Sequence, residues 1–363
     1  MQKRICKLKV KCILICLLIL SAIPGLSFSL VQAAEKSQGV ASEEQSEADT
    51  PVNLSAWIAY WDYQNWQTEA KSLGNALKGI SVFASHFNSA DNLILPEETK
   101  SLMADVLSKN DHGVSVSLTF VNDIVSENNS SSLKDTELLK RLFSQKAKTQ
   151  SHIEQIIALT KASGITGIDI DYEAIQDITP LWKGYVSFIK KLNNRAVEEG
   201  MRIRIILEPN ALRKVSFPKG PEYVIMCYNL YGTHSGPGPK ATPEFIQKMI
   251  AESESLPAEI TLAFATGGFD WSENGTTIQL SEKDALMLRE KYGAVPARDE
   301  TSGDIVFKYT DETGLTHEVW YADGETILLW INTARAEGIN NFALWLIGGN
   351  SETSLSSIAN GLL

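Results

Sequence analysis

Cysteine is scarce in this chain. Of 363 residues four are Cys, and Cys6, Cys12 and Cys16 all fall within the first sixteen positions. Positive charge is also short, with 33 Lys and Arg against 44 Asp and Glu and a net charge of −11. That balance excludes nucleic acid and anionic lipid surfaces as expected partners. Five His are present, at 86, 112, 152, 234 and 317. They share no H-x-H or H-E-x-x-H spacing, and no G-x-G-x-x-G turn follows the first apolar run. The expectation is therefore a protein with no cofactor and no metal site, its histidines structural or superficial. What is present is apolar mass: 44% hydrophobic residues, including 8 Trp, 10 Tyr and 12 Phe. That is enough for a sizeable core and excludes wholesale disorder.

The first 33 residues read as an export signal. Lys3, Arg4, Lys7, Lys9 and Lys11 form a basic start without an acid, and an apolar run from Cys12 to about Leu30 follows. Val31-Gln32-Ala33 then offers the small residues a signal peptidase reads. An uncleaved anchor is the alternative, because the run is nearly long enough to span a bilayer; Pro24-Gly25 in its middle favours cleavage. Removal would leave 28 basic residues against 44 acids, a charge of −16, and Cys227 as the sole cysteine. Such a chain has no internal disulfide and depends on burial in a large core. Residues 34–53 carry five acids, one Lys and no aromatic residue, and read as an acidic flexible linker. The expected product is a monomer, secreted or associated with the cell envelope, with no stable membrane insertion after cleavage.

Beyond the linker the pattern repeats. Short apolar, β-branched runs occur at 57–61, 79–84, 114–120, 166–171, 201–207, 223–228, 260–265 and 341–346. Helical periodicity fills most of the gaps, at 96–109, 138–163, 181–199, 242–255 and 325–337. Gly113, Gly164, Gly200 and Gly338 sit just before strands, where helix C-caps require positive φ. Continuous apolar strands alternating with amphipathic helices imply a parallel sheet covered by helices. Eight such units over residues 54–363 predict an α/β fold, a (β/α)8 TIM barrel, in preference to a doubly wound open sheet. A small α+β insertion at about 272–323 is expected between strands seven and eight. Ser281–Tyr292 reads as its helix, and Asp311-Glu312-Thr313-Gly314 reads as a hairpin turn between two strands.

The chemistry concentrates in Gly167-Ile168-Asp169-Ile170-Asp171-Tyr172-Glu173. Side chains alternate along a strand, so Asp169, Asp171 and Glu173 share one face, about 7 Å between successive members. In a barrel that face points toward the axis, and Glu173 lies nearest the C-terminal mouth where barrel enzymes place their chemistry. Acids crowded in a poorly solvated interior raise one another's pKa and keep a proton available to a general acid. A solvated edge strand and a hard-cation site are the other readings of such a row.

This stretch resembles the D-G-x-D-x-D-x-E signature of family 18 glycoside hydrolases, the chitinase-like enzymes, with Thr166 in place of the first Asp. Met226-Cys227-Tyr228-Asn229 resembles the family's M-x-Y-D/N on strand six, and Trp345 its strand-eight tryptophan. Phe307–Tyr321 and Gly268-Phe269-Asp270-Trp271 are similar to segments of bacterial members related to spore-coat and cell-wall hydrolases, with Gly replacing Tyr at the start of the second. The S-x-G-G of many chitinases is absent from strand three, which reads Ser117-Leu118-Thr119-Phe120 and weakens chitin as the substrate.

The resemblance implies a glycosidase that cleaves β-1,4 bonds at N-acetylglucosamine in chitin, peptidoglycan or N-glycans, with retention and with the sugar's own acetamido oxygen as nucleophile. It implies Glu173 as acid/base, Asp171 as orienter of the acetamido N–H, Asp169 as tuner of Asp171, and Tyr228 as donor to the acetamido oxygen. Trp345 would form the sugar-stacking floor, Met226 would fill the barrel beside it, and Asn229 would follow in the next loop. Tyr60, Trp61, Asp270 and Trp271, at strand ends, are candidate groove residues with rim packing as their alternative. Cys227 alternates outward and reads as buried filler. A non-catalytic lectin on the same fold, usually lacking the acid Glu, and an envelope interaction protein are the competing functions.

Overall fold

The computed structural model describes residues 51–110, 113–125 and 131–363. The expected signal segment, nearly all of the linker and His112 lie outside these residues. Eight parallel strands close into a barrel: β1 (Asn53–Ala59), β2 (Leu77–Phe87), β3 (Ser115–Val125), β4 (Gly167–Asp171), β5 (Arg202–Leu207), β6 (Glu222–Met226), β7 (Ile260–Phe264) and β8 (Asn341–Ile347). Each pairs with its sequence neighbours, and β8 returns to β1 with Leu54 opposite Phe342. All eight runs read from the sequence are strands, and the fold is the (β/α)8 barrel.

Strand alternation sorts the core into two layers. Ile168, Ile170, Tyr172, Ile205, Ile225 and Cys227 face outward into the large cluster under the helices. Trp57, Ile206, Val224, Met226, Ala263 and Ala343 fill the barrel, with Phe83, Tyr228, Trp345 and Leu346 packed on them toward the mouth. Cys227 is fully buried and free, and burial pushes its thiol pKa up, so it is packing material.

The helices are α1 (Trp66–Leu73), α2 (Glu97–Ser108), α3 (Thr136–Phe143), α4 (Lys146–Ala162), α5 (Thr179–Glu198), α6 (Pro243–Ser253), α7 (Glu282–Lys291), α8 (Gly324–Arg335) and α9 (Glu352–Leu362). Gly113, Gly164, Gly200 and Gly338 all have φ between 64° and 83°, the left-handed conformation expected of them. The long helix read over 138–163 is two helices. Asp135 caps α3 by accepting from the Leu138 N–H, and the chain breaks at Ser144-Gln145 before α4 starts.

The insertion lies between β7 and β8, as expected. Strands Thr277–Leu280, Gly267–Ser272, Thr316–Ala322, Ile305–Thr310 and Ala297–Arg298 form, in that order, one antiparallel sheet. Helix α7 packs on it, opened by a capping box between Ser281 and Asp284. Gly268 lies in a strand of this sheet, so a Cβ there would overlap the Trp320 carbonyl.

Candidate active site

Strand β4 ends at Asp171, and the next residues carry the site. Glu173 is fixed through its backbone: its N–H donates to Asn122 Oδ1 (2.9 Å) and its carbonyl accepts from Asn122 Nδ2 (3.1 Å). Ala174 follows with φ 60°, its N–H donating to Glu208 Oε2 at 2.9 Å. The turn therefore holds the Glu173 side chain at the barrel's C-terminal end, 16% exposed. Its Oε2 accepts from Lys134 Nζ at 2.6 Å. Lys134 itself has φ 52° and is pinned by its N–H to Asp123 Oδ1 at 2.7 Å, which aims the lysine at the glutamate.

Asp171 is buried, and its Oδ1 has no hydrogen-bond partner. Burial, then the neighbouring Glu173, raise its pKa well above the ordinary carboxylate range, with Lys134 opposing. Glu173 is raised as well, chiefly by burial, with the Lys134 ammonium opposing and Glu208 and Asp123 adding to the rise. The two form a coupled pair that retains a proton at pH values where an exposed carboxyl has lost it.

The deepest acid differs from the sequence expectation. Asp169 is fully buried, but Arg204 from β5 grips it with two bonds, Nε at 2.9 Å and Nη2 at 2.6 Å. The same guanidinium donates to Ser55 Oγ and Ser81 Oγ and lies 5.2 Å from the Trp57 ring centre. The row is thus a coupled pair above a neutralised ion pair, not three acids sharing protons. Arg204 alternates inward between Ile203 and Ile205, a signal the sequence carried.

Tyr228 continues the inward alternation of Val224 and Met226 on β6. Burial, then Asp171 and Glu173, push its phenol pKa up, which keeps the O–H a hydrogen-bond donor beside the acid pair. Met226 fills the barrel in the cluster with Trp57, and Trp345 packs on that cluster. A row of aromatic rings runs outward from there: Trp57 to Trp345 (6.0 Å), Trp345 to Phe83 (4.9 Å), Phe83 to Trp61 (5.6 Å) and Trp61 to Tyr60 (5.0 Å). Trp61 is 56% exposed and Trp345 partly so. Both line a cleft of about 390 Å3 between the barrel mouth and the insertion, with Lys240, Thr266, Gln279 and Ser281. Asn229 is exposed on the loop after β6, with φ 57°.

Asp270 and Trp271 do not line this cleft. Asp270 is buried inside the insertion, accepting from Tyr309 Oη at 2.6 Å and lying 2.9 Å from His317 Nδ1. The Trp271 indole N–H donates to the carbonyls of Ser235 (3.1 Å) and Gly232 (3.3 Å). The cause is the sheet: both belong to its strand Gly267–Ser272, where the sequence reading placed them at the end of a barrel strand. Sequence reasoning also missed Lys134, Lys240 and Phe83. The two lysines stand in loops, where no periodicity announces an orientation.

Among the histidines, His152 is buried against the Tyr172 hydroxyl at 2.7 Å, and His86 is buried 3.9 Å from Asp123. His234 is exposed. No group of three or more metal-ligating side chains occurs among the described residues.

No family model matches the chain. It is 24% identical over 241 residues to the uncharacterized glycosylase YvbX of Bacillus subtilis (strain 168), covering 62% of this chain and 70% of that protein. It is 24% identical over 303 residues to the cortical fragment-lytic enzyme of Bacillus anthracis, covering 77% of this chain and 68% of that one. The spore cortex-lytic enzyme SleL of Bacillus cereus superposes with a TM-score of 0.71 at 19% identity, over 86% of this chain and 74% of SleL. A chitinase from Chromobacterium violaceum ATCC 12472 superposes with a TM-score of 0.70 at 17% identity, over 86% and 99% of the two chains. The solved structures share the barrel; the curated relatives are named as glycosylases and lytic enzymes.

Fold, acidic strand and relatives together define a glycosidase built on a (β/α)8 barrel. The curated relatives and structural neighbours similar to this chain are named as glycosylases, cortex-lytic enzymes and chitinases, in keeping with the resemblance to family 18.

Proposed function

We propose that this protein is exported and hydrolyses β-1,4 bonds at N-acetylglucosamine in peptidoglycan, with retention and through the substrate's own acetamido group. The observation that carries the reading is the coupled pair Asp171–Glu173 at the barrel mouth, with Tyr228 beside it and Trp345 across the inner cluster. Peptidoglycan is favoured over chitin because three curated relatives are named cortical fragment-lytic enzymes. Export rests on the basic and apolar first 33 residues; among the described residues no helix is long and apolar enough to cross a membrane.

In the resting site the retained proton belongs with the more deeply buried Asp171, while Glu173 is the carboxylate that Lys134 holds. A sugar stacked on Trp345 would place its acetamido group between Tyr228 and Asp171. As Asp171 accepts the acetamido N–H, the proton passes to Glu173. The acetamido oxygen then attacks C1, the C1–O bond breaks with its electron pair going to the leaving oxygen, and that oxygen takes the Glu173 proton. Water attacks the oxazolinium at C1 and gives a proton back to Glu173, which closes the cycle. Tyr228 fixes the attacking oxygen, so the nucleophile is positioned before the bond breaks. Proton NMR of the first products formed from a defined glycan strand tests the scheme. The β-anomer must appear first; initial release of the α-anomer would rule out the acetamido route.

A further inference from the structure

Lys240, in the loop between β6 and α6, is 4% exposed yet lines the cleft shared with Trp61 and Trp345. Its ammonium donates to the Thr266 carbonyl at 2.7 Å and lies 5.8 Å from the Phe269 ring centre. Among the described residues its ammonium makes no ion pair within 4.0 Å, and its hydrogen bond goes to a carbonyl. Asp304 acts on it at longer range: its Oδ2 accepts from the Lys240 backbone N–H at 2.8 Å, and its charge opposes the effect of burial on the ammonium. Asp284 also lines the cleft, but its Oδ2 is taken by Ser281 N (3.0 Å) and Ser281 Oγ (2.6 Å) in the helix cap. Buried lysines are ordinarily paired, because removing an ammonium from water is costly. Burial accordingly lowers the Lys240 pKa to about 8, which leaves it charged at neutral pH.

We propose that the cleft beside Trp345 is a subsite for a sugar bearing a carboxylate, and that Lys240 is the residue that reads it. The proposal rests on the glycosidase reading and narrows its substrate class. Sugars of this kind occur in peptidoglycan, where every second amino sugar carries a lactyl ether ending in a carboxylate or in a peptide with its own carboxylates. A neutral N-acetylglucosamine polymer offers nothing to an unpaired ammonium. In a chain of net charge −11 an anionic strand is repelled at long range, so a local cation inside the cleft has to supply the recognition. The aromatic faces of Trp61 and Trp345 give stacking that any sugar satisfies; the ammonium adds the discrimination.

The test compares four glycans of equal length: a neutral chitooligosaccharide, peptide-free strands with free lactyl carboxylates, the same strands amidated, and strands with peptide stems. Binding is measured on the Glu173→Gln protein, and cleavage on the unmodified enzyme. Free-acid strands are expected to bind at least about tenfold tighter than amidated ones, the difference shrinking as salt rises. Lys240→Gln in the same background should bring the ratio to near one, and Lys240→Arg should keep most of it. Tight binding of stem-bearing strands alone assigns the carboxylate to the peptide; tight binding of the peptide-free acid assigns it to the lactyl group. Equal binding of free-acid, stem-bearing and amidated strands overturns the proposal, as does a preference that survives in a folded Lys240→Gln protein. Cleavage and binding fail separately: a carboxylate preference without cleavage refutes the glycosidase reading and leaves the subsite standing.

Discussion

In the proposed mechanism Glu173 is the residue on which the chemistry depends, and Lys134 opposes the effect of burial on its pKa. An ammonium at 2.6 Å stabilises the carboxylate, while burial favours the neutral acid. The raised pKa values of Asp171 and Glu173 keep their shared proton to higher pH, so the activity that needs this proton is lost as pH rises through the pair's titration. Removing Lys134 removes the opposing contribution. In the Lys134→Met enzyme the alkaline limb of the kcat/KM profile should therefore move to higher pH, while an unmoved limb would place the controlling group elsewhere. Asp171 gives a stability prediction from the same physics. Its folded-state pKa is raised, so its folding penalty is absent below the unfolded pKa and complete above the folded one. Asp171→Asn should raise Tm at neutral pH, and the gain should vanish as pH falls below about 4. Arg204 behaves in the opposite sense. Arg204→Met leaves Asp169 charged and fully buried without a partner, a change that costs about 3–5 kcal/mol in comparable buried pairs and is measurable by urea unfolding.

At the scale of elements, alternation on β4, β5 and β6 decides which residues meet. Gly167 opens β4 against β3, where a Cβ would overlap Ser117 Oγ and press on the Val116 carbonyl. Gly167→Ala should lower stability by more than about 2 kcal/mol and reduce activity with it, whereas Gly236→Ala, open on all sides, should leave Tm unchanged. The eight strands were legible because a parallel strand is apolar for most of its length and a helix is not, and the α7 helix and its following hairpin were legible from turn residues. The strand Gly267–Ser272 was not, because it follows β7 after only two residues and its alternation continues that of a barrel strand. That is why Asp270 and Trp271 were expected in the groove and are found in the insertion. The acidic triplet was readable from period two alone. Its electrostatics were not, because Lys134 comes from a loop 39 residues away and Arg204 from the next strand.

As a whole molecule the protein is an acidic barrel with an aromatic track at one end. Among the described residues burial stabilises the fold without a disulfide, since Cys227 is free and enclosed. Protein lacking residues 1–33 should show the same Tm with and without reductant, by calorimetry; a fall of several degrees on reduction would reveal a disulfide this account does not contain. The track from Trp57 to Trp61 runs from the inner packing to the exposed rim, so the rim aromatics are continuous with the core. The central claim is that the position-173 carboxyl delivers the proton to the leaving sugar. Turnover of Glu173→Gln, compared with the unmodified enzyme on peptide-free glycan strands at matched folding by circular dichroism, tests it most directly. The account predicts that kcat falls by about 10²–10⁴ with strand binding retained. A folded Glu173→Gln protein that turns over at the unmodified rate would contradict it.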